Sequence, residues 1–179
     1  MIRNYPRSLV AALALSAAGF VGVALHEGYT DRAIIPIPGD VPTVGLGSTQ
    51  HEDGTPVRMG ETITPPKAIR LSVAHIAKDE TQLRRCFGGA TLYQHEWDAY
   101  VSLAYNVGAS AVCASSIPLK VRAEQYEAAC RTILDFDKVR DCTKPKVWDT
   151  RRQSMVCPLV QLRGLTIRRQ EEYERCLGQ

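Results

Sequence analysis

Apolar and polar positions follow several different rhythms along the chain. Residues 9–25, "LVAALALSAAGFVGVAL", are an uncharged run of 17, which predicts a membrane-type helix at the short end of the roughly 17–25 residues that cross a bilayer. More than half of the run is Ala, Gly or Ser, so its gain from insertion is small. Short strands are expected within residues 34–50, around Gly39, Gly45 and Gly47, as one small β-hairpin. Beyond Pro65 and Pro66, which suit a first helical turn, Ile69, Val73, Ile76, Ala77 and Leu83 recur near helical spacing and predict an amphipathic helix. The apolar density of "LYQHEWDAYVSLAYNVG" predicts a buried central helix over residues 95–107, with Gly108 as its stop. "RAEQYEAACRTILDF" predicts a third helix, and "LVQLRGLTIRRQEEYERCLG" one or two more. Between these two segments lies a polar excursion, "DKVRDCTKPKVWDTRRQSMVCP". The expected fold class is α+β, mostly α: a helical domain of residues 26–179 with a small N-terminal hairpin, preceded by an apolar segment, residues 1–25.

Composition refines this outline. With 179 residues and 45 % hydrophobic content, the chain supports one packed domain plus an appendage. Arg3 and Arg7 precede the apolar run and predict a cytoplasmic N-terminus with the remainder outside. Discounting them leaves the formal charge of +3 close to balance, so a nucleic-acid partner is not expected. The last 40 residues carry a mild basic bias, suited to an anionic surface or simply to a solvated helix face. Six cysteines without a Cys-x-x-Cys pair favour three disulfides over a zinc site and an oxidising compartment. Six cysteines allow fifteen pairings; the expected set is Cys113 with Cys130, Cys142 with Cys157, and Cys86 with Cys176. No phosphate loop and no His-Glu-x-x-His pattern is present, so neither a cofactor nor a metal is expected.

The chemistry is concentrated just after the apolar run. Glu27, at the end of an apolar helix, is placed where desolvation can keep a carboxyl protonated. Asp40 in "PGDVPT" can stay ionised, and Thr43 can hold a water. Two carboxyls in unlike surroundings are what glycoside hydrolysis requires. On residue types alone the constellation is weak, because acids beside glycine turns are common.

"HEG" followed by "TVGLGST" resembles the Glu, Asp, Thr-x-Gly-x-Gly signature of phage-type lysozymes, glycoside hydrolase family 24. "QHEWDAYVSLAYNVG" resembles that family's central helix, and "GLTIRRQEEYERCLG" its closing segment; together the matches run in order from Glu27 to Cys176. The resemblance implies a lysozyme-like fold, Glu27 as general acid, Thr43 as the water-positioning residue, and Tyr105 and Asn106 facing the saccharide cleft. It leaves the aspartate open: the position nine residues after Glu27 is Pro36, and Asp40 lies only three residues before Thr43. Asp31 is the fallback, with a surface pair to Arg32 as its alternative. His26 is expected as a capping or interfacial side chain, Trp97 in the core, and Trp148 either in packing or against sugar. Arg151, Arg152, Arg168 and Arg169 are expected as surface charges or salt-bridge partners.

The apolar run resembles the signal-arrest-release segment of some phage endolysins. A cleavable signal peptide ending at "GVA" and a permanent anchor are the other readings. Retention makes Glu27 meaningful, since cleavage near Ala24 would leave it at a frayed terminus. The expectation is a monomeric endolysin acting on bacterial peptidoglycan, held at the host inner membrane through residues 9–25 and then active in the periplasm. A lytic transglycosylase and a membrane-tethered wall-binding protein are the alternatives.

Overall fold

The structure, a computed structural model, describes residues 6–36, 41–150 and 152–179. The apolar run does not form one helix. Strand β1 (Ser8–Leu9), a 3-10 turn (Val10–Ala12) and an extended stretch lead into helix α1 (Ala17–Glu27). Polar contacts to the body break the run in its middle. The Leu15 amide donates to Glu80 Oε1 at 2.6 Å, and the Ser16 amide and hydroxyl donate to Asp98. Ser16 also caps α1 by accepting from the Gly19 amide at 3.0 Å, which satisfies an orphan N–H of the first turn. Among the described residues no helix is long and apolar enough to cross a membrane. Arg7, expected to flank a membrane, instead pairs with Glu96 at 2.8 Å and lies over the Tyr93 and Tyr126 rings.

After α1 the chain forms β2 (Thr30–Ile34) and β3 (Thr43–Gly45), antiparallel with Thr30 opposite Gly45 and Ile34 opposite Thr43. Helix α2 (Pro65–Phe87) follows, opened by its two prolines. Then come β4 (Thr91–Leu92), paired with β1, and α3 (Gln94–Val107), ended by Gly108 as expected. The segment expected as a third helix is instead distributed over α5 (Ile117–Arg122), α6 (Tyr126–Arg131) and a 3-10 turn (Thr132–Phe136), after a short α4 (Ala109–Ala114). Glu124, at φ 58, marks the break between α5 and α6.

The polar excursion holds strands that its sequence did not reveal: β5 (Lys138–Arg140) pairs with β8 (Leu159–Gln161), and β6 (Val147–Asp149) with β7 (Ser154–Val156). Helix α7 (Arg163–Cys176) closes the chain. About half of the chain is helical, so "mostly α" gives way to a mixed fold in which each described ladder has two strands.

Two hydrophobic cores form among the described residues. The larger gathers Val10, Leu13, Val23, Ile76, Leu83, Phe87, Trp97 and Tyr100 around α3. The smaller lies under the hairpin: Ala33, Val44, Val57, Ile63, Ala68 and Leu71. Helix α2 serves both, Ala68 and Leu71 in one and Ile76, Leu83 and Phe87 in the other. At 1.5 Å per residue its 23 residues run about 35 Å, long enough to bridge two lobes. Of its expected apolar stripe, Ile69, Val73 and Ala77 are exposed; the buried face is rotated toward Ala68, Leu71 and Ser72.

The disulfides are Cys86–Cys113, Cys130–Cys176 and Cys142–Cys157. The expected Cys142–Cys157 bond is present and the other two pairings are exchanged. Helix α4 returns against the end of α2, which brings Cys113 to Cys86, and α6 lies against α7, which brings Cys130 to Cys176.

Candidate active site

Between the two lobes lies a cleft of about 410 Å³ lined by Glu27, Thr30, Ile34, Pro36, Thr43, Gly45, Gly47, Thr49, His75, Tyr105 and Asn106. The lining comes from the first 106 residues: the last residue of α1, both strands of the hairpin, the middle of α2 and the end of α3. Glu27, Thr43, Tyr105 and Asn106 are therefore brought together from positions far apart in the chain.

Glu27 does not sit in the apolar surroundings its sequence position suggests. Arg168 Nη1 donates to Glu27 Oε1 at 2.7 Å across 141 residues of sequence. Arg168 in turn pairs through Nε with Glu172 at 3.2 Å, and Glu172 lies 2.8 Å from Arg169 Nε and accepts from Ser102 Oγ at 2.8 Å. Arg169 Nη2 donates to Glu172 Oε1 at 3.1 Å, while the closer Nε–Oε2 approach is a charge pair without hydrogen-bond alignment. Arg169 is fully buried, and that burial pushes its guanidinium below its ordinary value while Glu172 pulls it back up. Two guanidiniums and two carboxyl groups thus close a cluster whose outer member is Glu27. Of the four arginines noted in the sequence, Arg168 and Arg169 are buried salt-bridge partners, Arg152 is an exposed partner of Asp149, and Arg151 lies outside the described residues.

Thr43 pairs with Ile34 across the hairpin, and its hydroxyl donates to the Ile34 carbonyl at 3.4 Å, a long and weak bond that leaves it available to a water. Tyr105 is 8 % exposed and its hydroxyl donates to the Leu46 carbonyl at 2.7 Å, next to Ser72 Oγ at 3.2 Å. Burial pushes the Tyr105 phenol up, so it stays neutral and ties the loop after β3 to α2. Asn106 is exposed and accepts from Arg169 Nη2 at 3.1 Å, which fixes its amide at the cleft edge.

The remaining expectations divide. Pro36, where an acid is looked for, does line the cleft; Asp40 lies outside the described residues. Asp31 is exposed and is not among the cleft residues, so the hairpin turns the fallback acid away. His26 lies 3.3 Å from Glu171 on α7, an interfacial contact. Trp97 is in the core, donating to Glu80 at 3.0 Å, whereas Trp148 is exposed and remote in sequence from every cleft residue. The sequence reading missed His75, whose ring lies 4.9 Å from Tyr105 and whose Nε2 lies 3.3 Å from Asp79. Its signal was present: Leu71, His75 and Asp79 follow at four-residue intervals along one face of α2. Among the described residues no group of three His, Cys, Asp or Glu is arranged to hold a metal ion.

Gly47 presses its backbone on the acid. A Cβ built there would lie 2.7 Å from Glu27 Oε2, and the residue has φ +76, where side chains are strained. Gly47→Ala is expected to displace the carboxylate and to lower cleft activity by about 10–100-fold, since displacements near 1 Å cost that much. The accompanying stability loss should be about 1–2 kcal/mol, the cost of a left-handed backbone for a residue with a Cβ. Parallel rate and thermal-unfolding measurements separate the two effects.

The chain is similar in sequence and fold to known phage proteins. The model of a family described as phage lysozyme matches residues 24–172. The chain is 30 % identical to the endolysin of Salmonella phage P22 over 124 residues, 69 % of this chain and 84 % of that protein. It is 29 % identical to the SAR-endolysin of Haemophilus phage HP1 over 153 residues, covering 79 % and 70 %. Among solved structures, an endolysin from Escherichia coli O157:H7 phage FAHEc1 superposes with a TM-score of 0.78 at 25 % identity, covering 96 % of each chain.

Proposed function

This chain belongs to the phage lysozyme family, and from that premise we propose that it is an endolysin that lyses the host cell. As a glycoside hydrolase it would cleave the β-1,4 bond between N-acetylmuramic acid and N-acetylglucosamine in bacterial peptidoglycan. The observation that carries this reading is Glu27, held by Arg168 at 2.7 Å at the wall of the inter-lobe cleft that Thr43 shares. Glu27 gives its proton to the glycosidic oxygen as the bond to the anomeric carbon breaks, and the carboxylate it becomes is stabilised by Arg168. Thr43 orients the attacking water. Asp40 takes that water's proton, and attack on the opposite sugar face inverts the anomeric centre. Tyr105 and Asn106 supply the saccharide-facing wall.

Digestion of isolated murein, with product ends identified by mass, tests the assignment. Reducing muramic acid ends that disappear with Glu27→Gln are expected. Anhydromuramyl ends would instead mean a lytic transglycosylase, and binding without cleavage a wall-binding protein.

We further propose that residues 9–25 first hold the chain at the host inner membrane and then leave it, giving an active periplasmic enzyme. The SAR-endolysin relative and the seating of α1 on the body support this reading. With the segment in the bilayer, Glu27 is pinned at the membrane surface and the cleft lacks its acid; docking of α1 completes it. Gly19 is where the two environments make opposite demands. A Cβ there would meet Leu15 Cδ1 at 2.6 Å and Asp98 Cγ at 2.8 Å, and Asp98 is fixed by its bonds to Ser16. Gly19→Leu adds apolar surface that favours insertion and blocks docking, each on the order of 1–2 kcal/mol. Fractionated cells should keep this variant in the membrane with delayed lysis; release equal to wild type would sink the mechanism.

A further inference from the structure

Among residues 138–161, the ribbon formed by β5 with β8 and β6 with β7 and closed by Cys142–Cys157, no described residue lines the inter-lobe cleft. The ribbon holds six of the chain's 22 Lys/Arg and two of its 19 Asp/Glu, a net of +4, so the rest of the chain sums to −1. The entire positive balance of the protein is therefore on this one excursion. Arg140 and Arg152 share Asp149, and Lys144 lies 4.0 Å from Asp141, but two acids leave four positive charges in excess.

The same ribbon displays Val139, Val147, Trp148, Met155 and Leu159 to solvent. Trp148 is 61 % exposed and Met155, directly opposite it in the β6–β7 register, is 53 % exposed, so indole and thioether stand side by side on one face. The protein's other tryptophan, Trp97, is completely buried. A stapled ribbon holds these apolar groups outward instead of letting them fold onto the body.

An apolar edge set among basic side chains matches the layered chemistry of a bilayer surface, where indole prefers the headgroup level and Lys/Arg meet lipid phosphate. A saccharide would need hydrogen-bonding amides or acids around the ring; the residue facing Trp148 across the ladder is a methionine. We propose that this ribbon docks the protein on an anionic lipid bilayer, with Trp148 and Met155 entering the headgroup region and the surrounding Lys and Arg facing the phosphates. The proposal is independent of the chemistry of the cleft and of residues 9–25.

The test uses the full-length purified protein with vesicles of phosphatidylcholine alone or mixed with an equal amount of phosphatidylglycerol. Sedimentation should show binding to the anionic vesicles that weakens as salt rises. Lipids brominated on their acyl chains should quench tryptophan emission, and because Trp97 is shielded in the core the quenching reports Trp148. Each positive charge removed should weaken binding about fivefold, so Lys144→Glu with Lys146→Glu should weaken it more than about a hundredfold. Trp148→Ser should abolish the quenching. Hydrolysis of soluble murein fragments should be unchanged in these variants, which shows them folded. Absence of quenching in the wild type, equal binding to neutral vesicles, or variants that bind as tightly as wild type would overturn the proposal. So would variants that lose binding to murein sacculi but keep binding to anionic vesicles. The quenching result needs no variant, so a variant that fails to fold does not protect the idea.

Discussion

Glu27→Gln is expected to reduce murein hydrolysis by about 10²–10⁴-fold, the usual contribution of a positioned general acid, while the fold survives. The two side chains have the same shape. The amide oxygen can still accept from Arg168 Nη1, the contact that spans 2.7 Å in the native protein, so the guanidinium is not stripped of its partner. What the amide lacks is a proton acidic enough to give to a leaving glycosidic oxygen. Rate on isolated murein and thermal unfolding should therefore separate, the first collapsing and the second moving little. A variant retaining more than about one-tenth of the native rate would remove Glu27 from the role of acid.

Glu172→Gln should have the opposite signature. Its carboxylate, 2 % exposed, lies between Arg168 at 3.2 Å and Arg169 at 2.8 Å. Neutralising it leaves two buried guanidiniums facing each other without the carboxylate that lies between them. Removing one partner from a buried ion pair costs about 3–5 kcal/mol, a large share of the 5–15 kcal/mol that a domain of this kind has in total. Urea unfolding should show that loss as a lowered midpoint; a change below about 1 kcal/mol would mean that the cluster is not holding the arginines. Activity should fall as well, because Arg168 is the residue through which Glu172 reaches Glu27.

The two residues differ in how visible they are in the sequence. Glu27 is marked by its place between an apolar run and a glycine-rich hairpin and, decisively, by the resemblance of "HEG" and "TVGLGST" to the lysozyme signature. The buried arginine cluster is not, because charge pairing over 141 residues leaves no local pattern, and "RRQEE" read locally suits a solvated helix face. Helices α2 and α3 were legible because proline opens one and glycine ends the other. The strands of residues 138–161 were hidden because both faces of that ribbon are largely exposed, so no apolar alternation marks them. The break in residues 9–25 was hidden for a tertiary reason. Asp98 and Glu80, acids on helices more than 60 residues away, take the backbone donors of Leu15 and Ser16, and an uninterrupted apolar run gives no hint of partners that distant.

The three disulfides join only elements from the end of α2 onward, the earliest cysteine being Cys86. Everything before it, including α1 with Glu27 and the hairpin with Thr43, is attached to the oxidised body by chain connectivity and noncovalent contacts alone. In that arrangement α1 is to the body what a tethered ligand is to its receptor: association is intramolecular, governed by an effective concentration that the linker sets. Away from a bilayer, the occupied fraction of the acid's site is then independent of protein concentration, and no redox reagent is needed to fill it. On the proposed release mechanism, its control is a competition between two hosts, bilayer and protein body, for one helix.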